Sequence, residues 1–406
     1  MERAEAEALD RMDPLASYRD RFVREATGGA IYMDGNSLGR PPREVAEAIS
    51  AATAEWDRRL VGGWEAWIDL PAQVGDRLGR LIGAAPGQML VCDSTTLNLF
   101  KVVSAAVAHQ AGRSEVLAIS GDFPTDRYVL QSITERSGQS LRLVDGNEDA
   151  IEAALSPQTA VLCLSHVHFT TGRRLDAVRI TAAARAQGAL VVWDLAHSAG
   201  AVPVDLDGWG ADLAVGCTYK YLNAGPGAPG FVYVAHRHQG RLRQPVWGWF
   251  GQEDQFEMGE RYRPAAGIRS YMTGTPGVIA IRAVDAAIAV TEEAGIERLW
   301  AKSVGLTDLL LERIGERLVP LGARLATPTE SRGAHVSVGH PDAWRWCRAL
   351  IERELVIGDF RPPDVIRLGP APLYTRFVDC FDAVERMAGT LEAGLEDIDP
   401  HKARVT

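Results

Sequence analysis

Short apolar runs alternate with helical stretches between residues 88 and 235 of this chain. Short runs rich in β-branched residues, separated by segments of helical pattern, are typical of strands joined by crossover helices. Strands connected in this way lie parallel, with helices on both faces of the sheet. The alternation predicts an α/β fold with a mainly parallel sheet. Its strands are indicated by the runs QMLVC, EVLAI, LRLVD, AVLCL, ALVVW, DLAVG and GFVYV.

Four polar segments each follow one of these predicted strands. Ligands of parallel sheets bind off the carboxyl ends of the strands. We therefore expect the four segments to converge on one crevice. They are Ser94-Thr95-Thr96, Phe123-Pro124-Thr125-Asp126, Ser165-His166-Val167-His168 and Asp194-Leu195-Ala196-His197.

The flanking parts of the chain have different patterns. A long helical tract is predicted from Thr275-Pro276 to about residue 319, interrupted near Gly295. After it, ARLAT, AHVSVG and DVIRLG alternate with helices, which indicates a small α+β lobe. Upstream, one helix is expected near Pro71. Another opens at Pro41-Pro42, with apolar positions at helical spacing: Val45, Ile49, Ala52, Trp56 and Leu60.

Charge and cysteine content exclude several classes of function. The net charge is -10, from 43 basic and 53 acidic residues without a basic block, so nucleic acid is not an expected partner. No apolar run approaches the ~20 residues of a membrane-spanning helix, and the first residues are charged, so we expect a cytoplasmic enzyme. The five cysteines are far apart in sequence, which favours reduced thiols.

Asp194 and Lys220 are the most informative pair of polar residues. Asp194 ends a predicted buried strand, and Lys220 lies in the polar turn Gly216-Cys217-Thr218-Tyr219-Lys220-Tyr221. Alone, a lysine is usually a surface charge and a strand-end aspartate is usually a helix cap. Together they fit an enzyme of pyridoxal 5'-phosphate, in which the lysine carries the aldehyde as a Schiff base and the aspartate keeps the pyridine nitrogen protonated.

Other candidate residues each have two readings. Ser94-Thr95-Thr96 precedes a helix, so it can hold a phosphate or serve as an ordinary N-cap. Phe123 can stack on a planar ring or belong to the core. Arg367, at the end of an apolar strand, can pair with a local acid or grip a substrate carboxylate bidentately.

The histidines and the glycine-rich turn give weaker signals. His197 is either a structural residue or a support for Asp194. His166 and His168 lack a third ligand at suitable spacing, so no metal is predicted. The segment 225–230 matches Gly-x-Gly-x-x-Gly, but a strand follows it where a dinucleotide site needs a helix. We interpret it as a turn beside Lys220.

With these residues in place, the chain resembles the kynureninase family over nearly its whole length. The segments that carry the resemblance are Tyr32-Met-Asp-Gly-Asn-Ser-Leu-Gly39, FPTD at 123–126, WDLAHSAG at 193–200, TYKYLNAGPG at 218–227, Trp247-Gly-Trp-Phe250, GTP at 274–276 and LYTRF at 373–377. Their order and spacing together are specific, whereas several are modest individually. The loop SHVHFTTG at 165–172 fits the family only loosely.

The resemblance implies the aspartate aminotransferase-like fold, with a seven-stranded, mainly parallel sheet between helices and a small α+β C-terminal domain. The implied divisions are an N-terminal segment (1–60) that packs on the small domain and the active site, a large cofactor-binding domain (61–275), and an interdomain helix with the small domain (276–406).

The resemblance also implies roles for residues of this chain. Lys220 would bind the cofactor and Asp194 would pair with its pyridine nitrogen. Tyr219 would help to hold the cofactor's phosphate and would donate a proton. The substrate would contact Arg367 through its α-carboxylate, and also Trp64 and Asn36, while Trp67 is a second candidate for the aryl ring. The other implied cofactor contacts are Thr95, Thr96, Phe123, Asp126, Ser165, His197 and, from the neighbouring subunit of a homodimer, Trp249 and Thr275.

The implied reaction is hydrolysis of L-kynurenine, or of 3-hydroxy-L-kynurenine, to L-alanine and anthranilate or 3-hydroxyanthranilate, in tryptophan catabolism and NAD biosynthesis. Another enzyme of the same superfamily, such as a cysteine desulfurase or an aminotransferase, is the nearest alternative. A non-catalytic regulator that binds the cofactor is an alternative of another class, although a relic of that kind is expected to have lost Lys220 or Asp194, and this chain keeps both.

Overall fold

The computed structural model describes residues 1–22 and 29–399. Its α-helices are α1 (Arg3–Met12), α2 (Arg43–Arg59), α3 (Trp64–Trp67), α4 (Leu70–Leu81), α5 (Thr95–His109), α6 (Pro124–Ser137), α7 (Glu148–Ala154), α8 (Ala177–Ala186), α9 (Val278–Ala294), α10 (Ile296–Arg317), α11 (Ala343–Arg353) and α12 (Phe377–Ala393). Its strands are β1 (Ile31–Tyr32), β2 (Met89–Val91), β3 (Glu115–Ile119), β4 (Ser140–Val144), β5 (Thr159–Ser165), β6 (Leu190–Asp194), β7 (Leu213–Gly216), β8 (Phe231–Val234), β9 (Arg324–Leu325), β10 (Val336–Gly339), β11 (Val356–Ile357), β12 (Asp359–Arg361) and β13 (Val365–Leu368).

The main sheet has seven strands in the order β2-β8-β7-β6-β5-β3-β4. Strands β3 to β7 pair in parallel, and β8 runs antiparallel to both β7 and β2. Each of the seven predicted runs supplies one of these strands. The predicted α/β class with a mainly parallel sheet is confirmed.

Both faces of this sheet are buried. Along β3, Leu117 and Ile119 belong to one hydrophobic cluster, whereas Val116 and Ala118 belong to another. Side chains alternate between the faces of a strand, so the two clusters lie on opposite faces. Helices α4, α8 and α9 contribute to the first cluster, and α5 and α6 contribute to the second. The polar groups that follow the strands are therefore confined to the sheet's edge.

The C-terminal part of the chain forms a second, antiparallel sheet in the order β12-β13-β10-β9. It shares a hydrophobic cluster with α10, α11 and α12, and Ala6 of α1 joins the same cluster. The predicted break in the long helical tract is also present, because Gly295, at φ +80°, separates α9 from α10. The small α+β domain expected from the sequence is confirmed.

The segment after β1 connects the two sheets. β1 pairs in parallel with β11, and Gly35 N–H donates to Gly369 O at 3.0 Å. A few residues later, Gly39 N–H donates to Tyr219 O at 2.8 Å. A Cβ at Gly39 would collide with the backbone of Lys220, so this close approach needs glycine. The N-terminal segment is thereby held against the turn that carries Lys220.

Helix α2 has the expected position but not a fully buried apolar face. Val45 and Ala52 are buried. Ile49, Trp56 and Leu60 are 40%, 55% and 62% exposed, although they follow the same helical spacing. Periodicity correctly predicted the helix, but it does not distinguish a face that packs within the chain from one that remains available for another surface.

Other features bear on the alternatives raised above. The Gly225–Gly230 segment is a turn that leads into β8, as interpreted from the sequence, and no helix follows it directly. All five cysteines are buried and free of disulfide bonds. Within residues 1–22 and 29–399, no helix has the length and hydropathy to cross a membrane, and no cluster of three or more potential metal ligands occurs.

Candidate active site

A cavity of about 100 Å³ lies at the carboxyl ends of the main-sheet strands. The four polar segments converge there as expected, joined by the turn that carries Lys220. The cavity is lined by Thr95, Thr96, Phe123, Thr125, Asp126, Ser165, Phe169, Asp194, Ala196, His197, Tyr219 and Lys220.

Asp194 lies at the end of β6, deep in this cavity, and is 6% exposed. Its Oδ1 accepts a hydrogen bond from Ala196 N–H at 2.8 Å. Burial raises the pKa of Asp194 to about 6, against the opposing effects of Lys220 and of that hydrogen bond. A cationic ring nitrogen placed beside this buried carboxyl would stabilise its ionised form.

Lys220 and His197 are in hydrogen-bond contact within the cavity, with 2.9 Å between Lys220 Nζ and His197 Nε2. Burial lowers the pKa of His197 well below its usual value, so the imidazole is neutral and Nε2 can accept from the lysine. The sequence suggested instead that His197 supports Asp194. No hydrogen bond joins those two residues in the described structure, because Nε2 is engaged by Lys220 and Nδ1 has no partner.

The first turn of α5 supplies free backbone donors to the cavity. Ser94 Oγ caps the helix by accepting from Leu97 N–H at 3.2 Å, so the N-cap reading is right for Ser94. Thr95 and Thr96 come next, and the first N–H groups of a helix have no partner within it. Thr95 Oγ1 donates to Gly216 O at 3.1 Å. The backbone N–H of Thr95, and the backbone N–H and hydroxyl of Thr96, are suited to bind an anion.

Phe123, Asp126 and Ser165 also line this cavity. Phe123 is 40% exposed, and its ring meets Phe169 edge-on at 5.2 Å, so its face is not covered by the core. Burial, followed by the proximity of Asp194, raises the pKa of Asp126 well above its usual value. Asp126 Oδ2 is buried and has no hydrogen-bond partner.

These groups fit pyridoxal phosphate. Asp194 offers a buried carboxyl for the pyridine nitrogen, Lys220 an amine for the aldehyde, and the start of α5 donors for the phosphate. Two buried polar atoms, Asp126 Oδ2 and His197 Nδ1, lack partners within the described chain. A ring with polar substituents would supply such partners.

Arg367 is more enclosed than the sequence suggested. It is 2% exposed, and Asp359 binds it from the opposing strand, with 2.7 Å between Arg367 Nε and Asp359 Oδ1. Of the two interpretations of Arg367 drawn from the sequence, pairing with a local acid is therefore the one observed. Most of the guanidinium edge expected to bind a substrate carboxylate bidentately is occupied by Asp359. Asn36 is fully buried beside Gly369, and neither its Oδ1 nor its Nδ2 has a partner within the described chain.

Five predicted site residues do not line the Lys220 cavity: Arg367 and Asn36, and also Trp64, Thr275 and Trp249. Trp64 and Thr275 line a separate apolar groove of about 830 Å³, together with Trp67 and residues of α2 and α9. Trp249 is 44% exposed and packs edge-on against Phe250 at 4.9 Å. A single chain does not bring Trp64, Thr275 or Trp249 into the Lys220 cavity.

Two buried neighbours of the site were not predicted. His335 is fully buried, with its ring centroid 5.4 Å from that of His197 and no hydrogen bond on either ring nitrogen within the described residues. Asp359 pairs with Arg367. A hairpin alignment of the two C-terminal strands would have found Asp359, since opposing residues form side-chain pairs. We know of no sequence signal that would have found His335.

Comparisons with known proteins agree with this geometry. The family model for aminotransferase class-V matches residues 32–341, and the model for the kynureninase C-terminal domain matches residues 299–387. Kynureninase of Burkholderia pseudomallei (strain K96243) is 43% identical over 401 residues, which cover 96% of this chain and 95% of the relative. Kynureninase of Pseudomonas fluorescens is 43% identical over 396 residues, covering 95% and 94%.

Solved structures share the fold at lower identity. A cysteine desulfurase from Thermococcus onnurineus NA1 has a TM-score of 0.81 at 17% identity, covering 93% of this chain and 98% of that chain. An alanine–glyoxylate aminotransferase from Nostoc sp. has a TM-score of 0.66 at 19% identity, covering 89% and 94%. The full-length relatives and the family models place the chain more closely: it belongs to the kynureninase family of pyridoxal-phosphate-dependent hydrolases that act on carbon–carbon bonds.

Proposed function

We propose that this chain hydrolyses L-kynurenine to anthranilate and L-alanine, using the cavity around Lys220. The single observation that carries the assignment of the site is the convergence of Asp194, Lys220 and the first turn of α5 on one cavity. The identity to kynureninases over 96% of the chain supports this substrate. 3-Hydroxy-L-kynurenine is a second candidate substrate.

The proposed cofactor contacts follow from the positions of the lining residues. Lys220 would hold the cofactor covalently, Asp194 would bind its ring nitrogen, and Phe123 would cover one ring face. Thr95 and Thr96 would bind the phosphate. Pyridoxal phosphate, when bound, supplies an electron sink that stabilises negative charge as bonds to the substrate's α and β carbons are made or broken.

Proton transfers are assigned to the residues beside that ring. Lys220 Nζ would remove and return the proton at the substrate's α carbon, while neutral His197 accepts a hydrogen bond from Nζ and fixes its direction. Burial raises the pKa of Tyr219, so its hydroxyl remains protonated. A protonated phenol beside Lys220 is suited to donate a proton to the β carbon after the bond to the ketone carbon breaks.

We further propose a homodimer in which Trp249 and Thr275 reach the phosphate of the partner's site. Both lie outside their own chain's Lys220 cavity. The apolar groove and the exposed faces of Trp56, Trp247 and Trp249 supply the kind of surface that subunits bury. In the same assembly Trp64 would approach the substrate's aryl ring.

The cytoplasmic location stays a prediction from the sequence.

The competing functions are less well supported by the site. A desulfurase needs a mobile, accessible cysteine, whereas all five cysteines here are buried, and burial raises the pKa of Cys217, the cysteine nearest Lys220 in sequence. A non-catalytic regulator has no need of the Lys220–His197 contact. An aminotransferase shares the cofactor, and only product analysis separates it from a hydrolase.

The test is product formation by the holoenzyme. Purified protein loaded with pyridoxal phosphate should release fluorescent anthranilate and one equivalent of L-alanine from L-kynurenine, and Lys220→Ala should abolish both products. Cofactor binding without release of anthranilate would reject the substrate and retain the site. Failure to bind the cofactor would reject the site itself.

A further inference from the structure

We propose that Asp359 is a positioning residue that presents the Nη1 end of the Arg367 guanidinium to the substrate, and that it thereby sets the affinity for ligands that carry an α-carboxylate. This inference rests on the proposed function, in which Arg367 binds that carboxylate.

The contacts of Arg367 leave it little freedom. Its Nε donates to Asp359 Oδ1 at 2.7 Å, and its Nη2 donates both to Asp359 Oδ2 and, at 2.9 Å, to Ser37 Oγ. Its Nη1 donates to Phe169 O at 2.8 Å. A guanidinium has five N–H donors, so these four bonds leave one N–H, on Nη1.

That remaining N–H belongs to the guanidinium nitrogen that contacts a residue of the Lys220 cavity. The acceptor of the other Nη1 proton is the carbonyl of Phe169, and Phe169 itself lines the Lys220 cavity. The edge formed by Nε and Nη2 is occupied by Asp359 and Ser37. The arrangement presents a single end of the guanidinium to a ligand rather than the bidentate fork expected from the sequence.

The carboxylate of Asp359 is itself fixed from several directions. It is buried, lies directly opposite Arg367 in the β12–β13 register, and accepts from Ser37 Oγ at 3.0 Å. It also forms an ion pair with Arg361, with 2.6 Å between Asp359 Oδ2 and Arg361 Nη2. Because the backbone register sets the pair, rotation of Arg367 towards another orientation would break several hydrogen bonds at once.

The charges of this cluster also favour an incoming anion. Arg361 and Arg367 both pair with the carboxylate of Asp359. Its single negative charge balances only one of the two positive charges. Asp34 is the other nearby acid, and burial, followed by repulsion from Asp359, raises its pKa to about 7. A substrate carboxylate would therefore enter a site with unmatched positive charge while Asp34 is protonated.

The experiment compares two ligands that differ only in this carboxylate. L-Kynurenine and kynuramine, which is the same molecule without its α-carboxylate, are titrated into the holoenzyme, and binding is followed by the change in cofactor absorption. For Asp359→Asn we expect binding of L-kynurenine to weaken by about 10- to 100-fold and that of kynuramine to change by less than about twofold. KM should rise more than kcat falls.

Two further variants control for misfolding. Asp359→Glu keeps the charge and should restore part of the lost affinity, and Ser37→Ala removes one contact of Arg367 and should weaken L-kynurenine binding by a smaller factor. Equal losses for both ligands, or no loss for either, would overturn the proposal. Anthranilate release by the unaltered enzyme tests the proposed reaction separately, because the ligand comparison needs only binding.

Discussion

The Nζ atom of Lys220 lies 2.9 Å from Nε2 of His197. The two residues come from different loops, the His197 loop after β6 and the Lys220 turn after β7. Since these strands are adjacent and parallel, the contact follows directly from the sheet. His197 is thus a direct partner of the proposed catalytic lysine.

This contact predicts a kinetic defect rather than loss of cofactor. His197→Phe keeps an aromatic ring but removes the acceptor for Lys220, so Nζ loses its fixed direction. We expect kcat to fall by about 10- to 100-fold while the cofactor absorption band persists. His335→Phe is the matched control, because the His335 ring packs against that of His197 at an interplanar angle of 50° and has no hydrogen bond to Lys220. Equal kcat losses in the two variants would reject the role of the contact.

A second prediction concerns the buried ion pair behind the proposed phosphate site. Lys101 is fully buried, and its Nζ lies 2.6 Å from Asp93 Oδ2 and 2.8 Å from Tyr271 O. Removing Lys101 leaves the carboxylate of Asp93, whose side chain is only 18% exposed, without its cationic partner. Lys101→Met should therefore lower the free energy of unfolding by about 3–5 kcal/mol, measured by urea denaturation of the apoprotein.

The controls for that prediction separate burial from charge. Asp93→Asn combined with Lys101→Met removes both charges, and Asn tolerates the φ of 51° at this position, so the double variant should be more stable than Lys101→Met alone. Arg179→Met breaks more exposed ion pairs, with Asp149 and Glu152, and should cost no more than about 1 kcal/mol. Similar losses for Lys101→Met and Arg179→Met would contradict the argument.

A third prediction follows from the raised pKa of Asp34. Burial, and then Asp359, raise this pKa to about 7, whereas the unfolded chain has an ordinary value of about 4. Between these values the folded state holds a proton that the unfolded state releases, so the free energy of unfolding falls as pH rises. Asp34→Asn removes this dependence. Its melting temperature relative to the unaltered protein should increase from pH 5 to pH 8.

The control for that series is Glu65→Gln, a change at a carboxylate whose side chain is 85% exposed. Its melting temperature relative to the unaltered protein should stay the same across the pH range. A difference for Asp34→Asn that does not vary with pH would show that this carboxyl is ionised in the folded protein at pH 5.

The sheet and the centre of the site were predictable because both depend on local sequence. Each main-sheet strand is a short apolar run bounded by polar residues, and the parallel topology places the ends of those runs together. Asp194 and Lys220 could therefore be assigned to one cavity from their positions after strands β6 and β7. The seven apolar runs and the four polar segments were enough to predict the main sheet and the position of the site.

The partners of these residues were not predictable in the same way. Whether Arg367 is open or paired depends on the register of β12 against β13, and a shift of one residue would remove Asp359 from its side. The orientation of His197 depends on packing against His335, which is distant in sequence. The exposed apolar residues of α2 follow the same helical spacing as buried ones. This spacing does not show whether a residue packs within its own chain or against another surface.

The last prediction tests whether two chains build each site. Under the proposed homodimer, Lys220 of one chain works with Trp249 of the other, so Lys220→Ala and Trp249→Ala proteins should each have low activity. In a mixed dimer, one site would carry both changes and the other would carry neither. Denaturing and refolding an equal mixture should therefore restore about a quarter of normal activity, since about half of the dimers are mixed and each has one intact site. Activity equal to the average of the two separately refolded variants would place Lys220 and Trp249 in the same chain's site and reject the shared arrangement.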